Sequence, residues 1–280
     1  MEQFTGKVAV VTGAGSGIGR ALAHRFAAEG MRVAMADIED AALEEAAASI
    51  LAATPGAEVL PHRVDVRVGT EVEELADRVF AEWGQVDLLC NNAGVFVTGF
   101  LWERPVEDLE FVLGVNLWGI LHGIRAFVPR MIAQETEGHV VNTCSTAGLF
   151  GSPYAGPYTI SKFAALAATE SLAGDLIATG SKLRASALCP GVVATRIAQS
   201  DRNRPAELAT APTAEQAVVQ SVMEETVAAG IDPAEVADLV LDAVRSERFL
   251  VLTHEHHAKD LVARGEQLAA RELPAMVDFT

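Results

Sequence analysis

"KVAVVTGAGSGIGRALAHRFAAEG" runs from Lys7 to Gly30. Its first six residues form a short apolar run, with the length and content of a buried parallel strand. The turn "TGAGSGIG" (12–19) follows at once. Beyond it, apolar residues recur at three- and four-residue intervals until Gly30, a helix closed by glycine. Glycines let a backbone turn sharply and approach a ligand closely. A helix N-terminus offers N–H groups and the positive dipole end to a pyrophosphate. The turn departs from the strict G-x-G-x-x-G spacing because position 18 is Ile. Asp37, 18 residues past Gly19 at the end of the next apolar run, is placed to accept bonds from both hydroxyls of an adenosine ribose. That carboxylate would repel a 2′-phosphate. Neither Ser16 in the turn nor Ile38 after the acid supplies a compensating cation, so the stretch predicts NAD rather than NADP.

The same alternation continues along the chain. Residues 31–37, 58–65, 86–91, 139–145, 183–190 and 248–253 read as further buried strands, with helical segments between them, several closing at Gly30, Gly84 or Gly180. The expectation is an α/β fold: a single-domain, Rossmann-like doubly wound parallel sheet of about seven strands, with helices on both faces. Residues 1–280 read as one domain, without linker or repeat. Residues 195–230 are too long for an ordinary connection and are expected to form a lid; a helical tail is expected over 255–280. A net charge of −17 argues against nucleic acid and anionic membrane surfaces. No apolar run approaches the ~18 residues of a membrane helix, and the N-terminus lacks a signal-peptide layout. The three cysteines (Cys90, Cys144, Cys189) each close an apolar run and read as buried thiols. The expected location is cytoplasmic.

The chain's only two tyrosines, Tyr154 and Tyr158, lie in "SPYAGPYTISK" (152–162). Gly156-Pro157 breaks the chain, and Pro suits the first turn of a helix, so Tyr154 falls in the approach loop. Tyr158 and Lys162 then share one helical face at i and i+4. A neighbouring ammonium favours phenolate and should lower the tyrosine's pKa, fitting it for proton exchange with an alcohol or carbonyl oxygen.

"TGAGSGIG" (12–19), "NNAG" (91–94), Asn116 in "GVNLWG", Ser145 in "VVNTCSTAG", "YTISK" (158–162) and "PGVVAT" (190–195) occur in order. Together, over about residues 4–253, they resemble the short-chain dehydrogenase/reductase family. The resemblance implies that Tyr158 is the proton donor or acceptor and Ser145 holds the substrate oxygen. Lys162 lowers the tyrosine's pKa and binds the nicotinamide ribose, and Asn116 anchors a water linking the lysine to solvent. It also implies that Gly13, Ser16, Gly17, Ile18 and Gly19 cradle the pyrophosphate, Asp37 the adenosine ribose, and Asp65 with Val66 the adenine. Asn92, Ala93 and Gly94 would line the cofactor channel; Pro190, Gly191, Val193 and Thr195 would position the nicotinamide. By the same geometry Phe96, Val97, Leu149, Phe150 and Tyr154 would wall an apolar substrate pocket.

The resulting expectation is an oxidoreductase moving hydride between NAD(H) and a secondary alcohol or ketone with a hydrophobic body. It would pair through helices near 105–131 and 157–180 as a homodimer or homotetramer. The alternatives are an NADP-dependent carbonyl reductase and a non-catalytic nucleotide-sensing protein of the same fold. "HEHH" (254–257) looks metal-like, but adjacent imidazoles on a helix point apart, so a solvated helix start is expected and no metal. "ARELPAMVDFT" (270–280) is expected either to fold back on a neighbouring subunit or to fray.

Overall fold

The computed structural model describes residues 1–276. β1 (Val8–Thr12) is the hub. Val8 and Val10 point to one side of the sheet and Ala9 and Val11 to the other, and all four are wholly buried, as a central strand covered on both faces requires. It pairs in parallel with β2 (Arg32–Asp37), Val10 lying opposite Ala34, and with β4 (Leu88–Asn91), where Val10 lies opposite Leu89. β3 (Val59–Arg63), β5 (Gly138–Thr143), β6 (Leu183–Cys189) and β7 (Leu250–Leu252) complete a seven-stranded parallel sheet in the order β3-β2-β1-β4-β5-β6-β7. The strand order reverses between β1 and β4, and a crevice opens there beyond the carboxyl ends of the strands.

On one face lie α1 (Gly17–Ala28), α2 (Asp40–Ala53) and α8 (Pro233–Ser246), burying Leu22, Phe26, Leu43, Ile50 and Val240. On the other lie α3 (Gly69–Trp83), α4 (Val106–Leu113), α5 (Gly119–Ala133) and α6 (Gly156–Ala178), burying Leu75, Phe111, Phe127 and Leu176. Each such fully buried side chain contributes roughly 1.5–3 kcal/mol. Gly30, Gly84 and Gly180 all have positive φ where their helices stop, as expected of glycine C-caps.

One finding revises the sequence reading. Val106–Ala133 is one continuous helical run of 28 residues with mean hydropathy 1.5, so a stretch with the length and composition of a membrane span does exist. Phe111, Phe127 and Met131 within it are wholly buried against the sheet, the pattern of a core helix. Over residues 195–230, tight turns at Ile197–Asn203 and Ala206–Leu208 lead into α7 (Ala214–Ala228). The tail forms α9 (His256–Ala269) and then leaves regular structure; its last four positions, 277–280, lie outside the described residues. All three cysteines are free and buried at or just past strand ends.

Candidate active site

The carboxyl edge of the sheet opens into a cleft of about 280 Å³. At one end lies the glycine turn. Thr12 Oγ1 accepts from the Asn92 and Ala93 N–H groups at 2.9 and 3.0 Å, tying the ends of β1 and β4 together. The turn is glycine for steric reasons: a Cβ on Gly13 would lie 2.9 Å from the Ala93 Cα, and one on Gly17 2.9 Å from the Thr195 methyl. Gly13 and Gly17 also have positive φ. Gly19 does not reach the cleft; a side chain there would strike the Gly13 carbonyl, so it serves close helix–turn packing. This bare-backbone cradle at the start of α1 fits a pyrophosphate. Asp37 lies beside it, its two oxygens accepting from Gly15 N–H at 2.8 Å and Glu39 N–H at 3.0 Å. Asp65 and Val66 line the same end, the Asp65 carboxylate gripped by Arg67 at 2.6 Å. The residues present therefore fit a dinucleotide.

At the other end, β5 delivers Ser145 and α6 delivers Tyr158 and Lys162. Ser145 Oγ caps the short turn Thr146–Gly148, accepting from Ala147 N–H at 3.1 Å. That turn packs so tightly on α6 that a Cβ on Gly148 would lie 2.6 Å from the Lys162 carbonyl. Tyr158, in the first turn of α6 with Pro157 before it, meets Phe96 edge-on at 4.8 Å. Lys162 is buried, its Nζ donating to the Thr143 carbonyl at 2.9 Å and lying 5.6 Å from the Tyr158 ring centre. Burial pushes the Tyr158 phenol up to about 12, although a hydrogen bond with Ser145 pulls the other way. Burial likewise pushes the Lys162 ammonium down to about 8. The lowering expected for Tyr158 is thus reversed in the chain by itself, because desolvation of the phenol outweighs the Ser145 hydrogen bond.

Asn116 lies in a π-helical turn, Gly114–Trp118, between α4 and α5. Such single π turns are frequent at functional sites. Its side chain makes three bonds: Oδ1 accepts from Val95 N–H at 2.8 Å, and Nδ2 donates to the Val95 carbonyl and Ser161 Oγ at 3.0 and 2.9 Å. Both Nδ2 protons are thus used, and the side chain braces the loop after β4. Gly94, Pro190, Gly191, Val193 and Thr195 border the cleft.

Of the expected apolar wall, Phe96 and Tyr154 border the cleft, while Val97, Leu149 and Phe150 do not. These three are 4, 5 and 1 % exposed and belong to the cores beneath, because their side chains turn into the helix layers. The wall is built instead by Phe111, Val115, Val219, Met223 and Val227. The last three recur every fourth residue along α7, a stripe legible in "VVQSVMEETV" (218–227) that length alone did not bring out. Sequence reading also missed Glu39, Arg67, Arg196, Arg202 and Asn203 at the adenosine end. Tyr154 is exposed, with φ of 58° and its ring tilted against Phe100 at 5.1 Å.

The histidines differ from expectation too. The His256 and His257 rings lie 4.1 Å apart rather than diverging. Donor atoms of His256, His257 and Asp260 fall within 4.8 Å of one another. His257 is buried, not solvated, and its Nδ1 lies 3.2 Å from Asp260 Oδ2.

The short chain dehydrogenase family model matches residues 7–206. The chain belongs to that family. Among curated relatives of this short-chain dehydrogenase, a CLA biosynthesis dehydrogenase/reductase of Lactiplantibacillus plantarum is 32 % identical over 92 % of this chain and 91 % of its own. A 1-deoxy-11-beta-hydroxypentalenate dehydrogenase of Streptomyces exfoliatus is 38 % identical over 89 % of this chain and 83 % of its own. Among solved structures, a short chain dehydrogenase/reductase of Burkholderia phymatum in complex with NAD superposes with a TM-score of 0.96 at 40 % identity, covering 99 % of both chains. The protein is accordingly an oxidoreductase of the short-chain dehydrogenase family, with the family's Rossmann-like fold.

Proposed function

We propose that this short-chain dehydrogenase is NAD-dependent and interconverts a secondary alcohol and a ketone with a hydrophobic body. The observation that carries the reading is convergence: Ser145, Tyr158 and Lys162 border the same cleft as the glycine turn and Asp37, and apolar side chains line that cleft too. Bound NAD(H) accepts or supplies the hydride. The chain does the rest. Ser145 holds the substrate oxygen through its hydroxyl, and Tyr158 takes the proton from the alcohol or gives one to the carbonyl oxygen. Lys162, buried with an ammonium already stressed toward neutrality, offers charge that eases formation of phenolate. The 195–230 segment acts as lid, with Val219, Met223 and Val227 of α7 excluding water from the substrate. One relative being a dehydrogenase of a hydroxypentalenate agrees with an alcohol substrate.

The half-exposed Trp118 and Ile160, with Ile177 at 74 % exposure, make the outer faces of the 106–133 helical run and of α6 the expected subunit contact of a homodimer or homotetramer. Light scattering on the purified protein reads that state directly. The acidic net charge and three free thiols favour a cytoplasmic location.

The test is NADH formation across a panel of hydrophobic secondary alcohols. Tyr158→Phe should lose about 10²–10⁴ in kcat while still binding cofactor, as loss of a general acid–base does. Tyr154→Phe should keep most turnover. A Tyr158→Phe enzyme as fast as the wild type would overturn the mechanism.

A further inference from the structure

We infer that Glu39, two residues beyond Asp37, sets the choice between NAD and NADP by neutralising two arginines that the lid brings to the adenosine end of the cleft. This rests on reading the cleft as a nicotinamide dinucleotide site. Next to Asp37 in sequence there is no cation, yet Arg196 and Arg202, some 160 residues away, border the cleft together with Asp37 and Glu39. One oxygen holds them. Glu39 Oε1 accepts from Arg202 Nε at 2.9 Å and from Asn203 Nδ2 at 3.1 Å, and the Arg196 guanidinium lies 3.6 Å from it.

Arg202 is also fixed from its other side, its NH1 donating to the Arg196 and Gln199 carbonyls at 3.0 and 2.9 Å. Loss of the Glu39 charge would therefore change the potential at this end of the cleft more than the position of the guanidinium. Burial raises the Glu39 carboxyl, but hydrogen bonds from Arg202 and Asn203 win and hold it below its usual range. With Asp37 and Glu39 both ionised, two carboxylates balance two guanidiniums, which suits a neutral ribose hydroxyl. Arg67, the remaining cation of this end, is occupied by Asp65. Without Glu39 the cluster carries a net positive charge, and guanidiniums are the groups best shaped to bind a phosphate in pairs of hydrogen bonds. The preference against a 2′-phosphate then comes from two acids rather than one.

The experiment compares full-length wild type, Glu39→Gln and the triple variant Glu39→Gln with Arg196→Gln and Arg202→Gln. Dissociation constants for NADH and NADPH are read by nucleotide fluorescence. The NADPH-to-NADH ratio of dissociation constants should fall about tenfold in Glu39→Gln, return toward wild type in the triple variant, and recover as salt is raised. A ratio within about twofold of wild type in Glu39→Gln, or a gain that survives in the triple variant, would sink the inference. A wild type that prefers NADPH would overturn the NAD reading instead, leaving Glu39 to be judged by the change in the ratio.

Discussion

Lys162 and His139 show what burial does to a single base. Lys162 titrates at about 8 in the folded chain, against 10.5 for an unperturbed lysine. Between those values the unfolded chain holds more protons than the folded one, so stability rises with pH there, and below about 8 the full penalty is present. Comparing wild type with Lys162→Met in urea at pH 8 to 10, the wild type should gain up to about 1.4 kcal/mol per pH unit on the variant. A gap that does not move with pH would mean that the ammonium is not under strain. Above pH 10 the raised Tyr158 works the other way, since its phenol ionises first in the unfolded chain. His139 in β5 is an acid-side counterpart, pushed down to about 3 by burial, with Nε2 2.7 Å from Ser186 Oγ. Its neutral ring stabilises the fold above pH 6.5, and that contribution is lost as pH falls toward 3. His139→Gln should therefore flatten the acid limb of the stability curve, measured by thermal unfolding from pH 7 to pH 4.

At the level of elements, the ends of helices carry much of the specification. α8 opens with a capping box: Asp232 accepts from Ala234 N–H at 2.8 Å, Glu235 reaches back to the Asp232 N–H, and Pro233 occupies the first turn. Asp232→Ala should cost about 1 kcal/mol with activity retained, because α8 covers the face away from the cleft's catalytic end. Chemical denaturation checks this. α7 has its own box, Thr213 with Gln216, and the same Gln216 donates to the Thr98 carbonyl at 3.0 Å. α7 is thereby tied to the loop after β4 by a residue of its own first turn. The π turn before α5 has a comparable double use, ending α4 while directing Asn116 at Val95.

Across the whole molecule, the 195–230 segment is moored by a buried charge cluster. Asp108 of α4, wholly buried, pairs with Arg204 at 2.9 Å and accepts from Thr210 at 3.2 Å, with Arg104 3.7 Å away and also buried. Arg204 lies over the Phe111 ring at 4.6 Å, and Phe111 is a wall of the cleft. Removing one member of such a cluster leaves uncompensated charge, so Asp108→Asn should destabilise by about 3 kcal/mol. Because the mooring holds α7 over the site, the variant should also raise KM more than it lowers kcat. An unchanged KM with a lowered melting temperature would make the cluster purely a matter of stability.

The sequence by itself determined the strands, the doubly wound sheet, the glycine turn and the Tyr158–Lys162 face. Each of these follows from residue types at short, fixed intervals: period two or an unbroken apolar run, period three to four, a glycine where the backbone must be bare. Asp37 was legible for the same reason, since a strand, a turn and a helix fix its distance from Gly19. What only the tertiary structure decided depends on partners far apart in the chain. Val97, Leu149 and Phe150 are as apolar as Phe111, Val219 and Met223, and only the layer each side chain turns into separates core from cleft. The direction of the Tyr158 shift followed the depth of burial, which no spacing encodes. Arg196 and Arg202 met Glu39 across some 160 residues, a contact written in no local pattern because it arises where the segment after β6 packs back beside the end of β2.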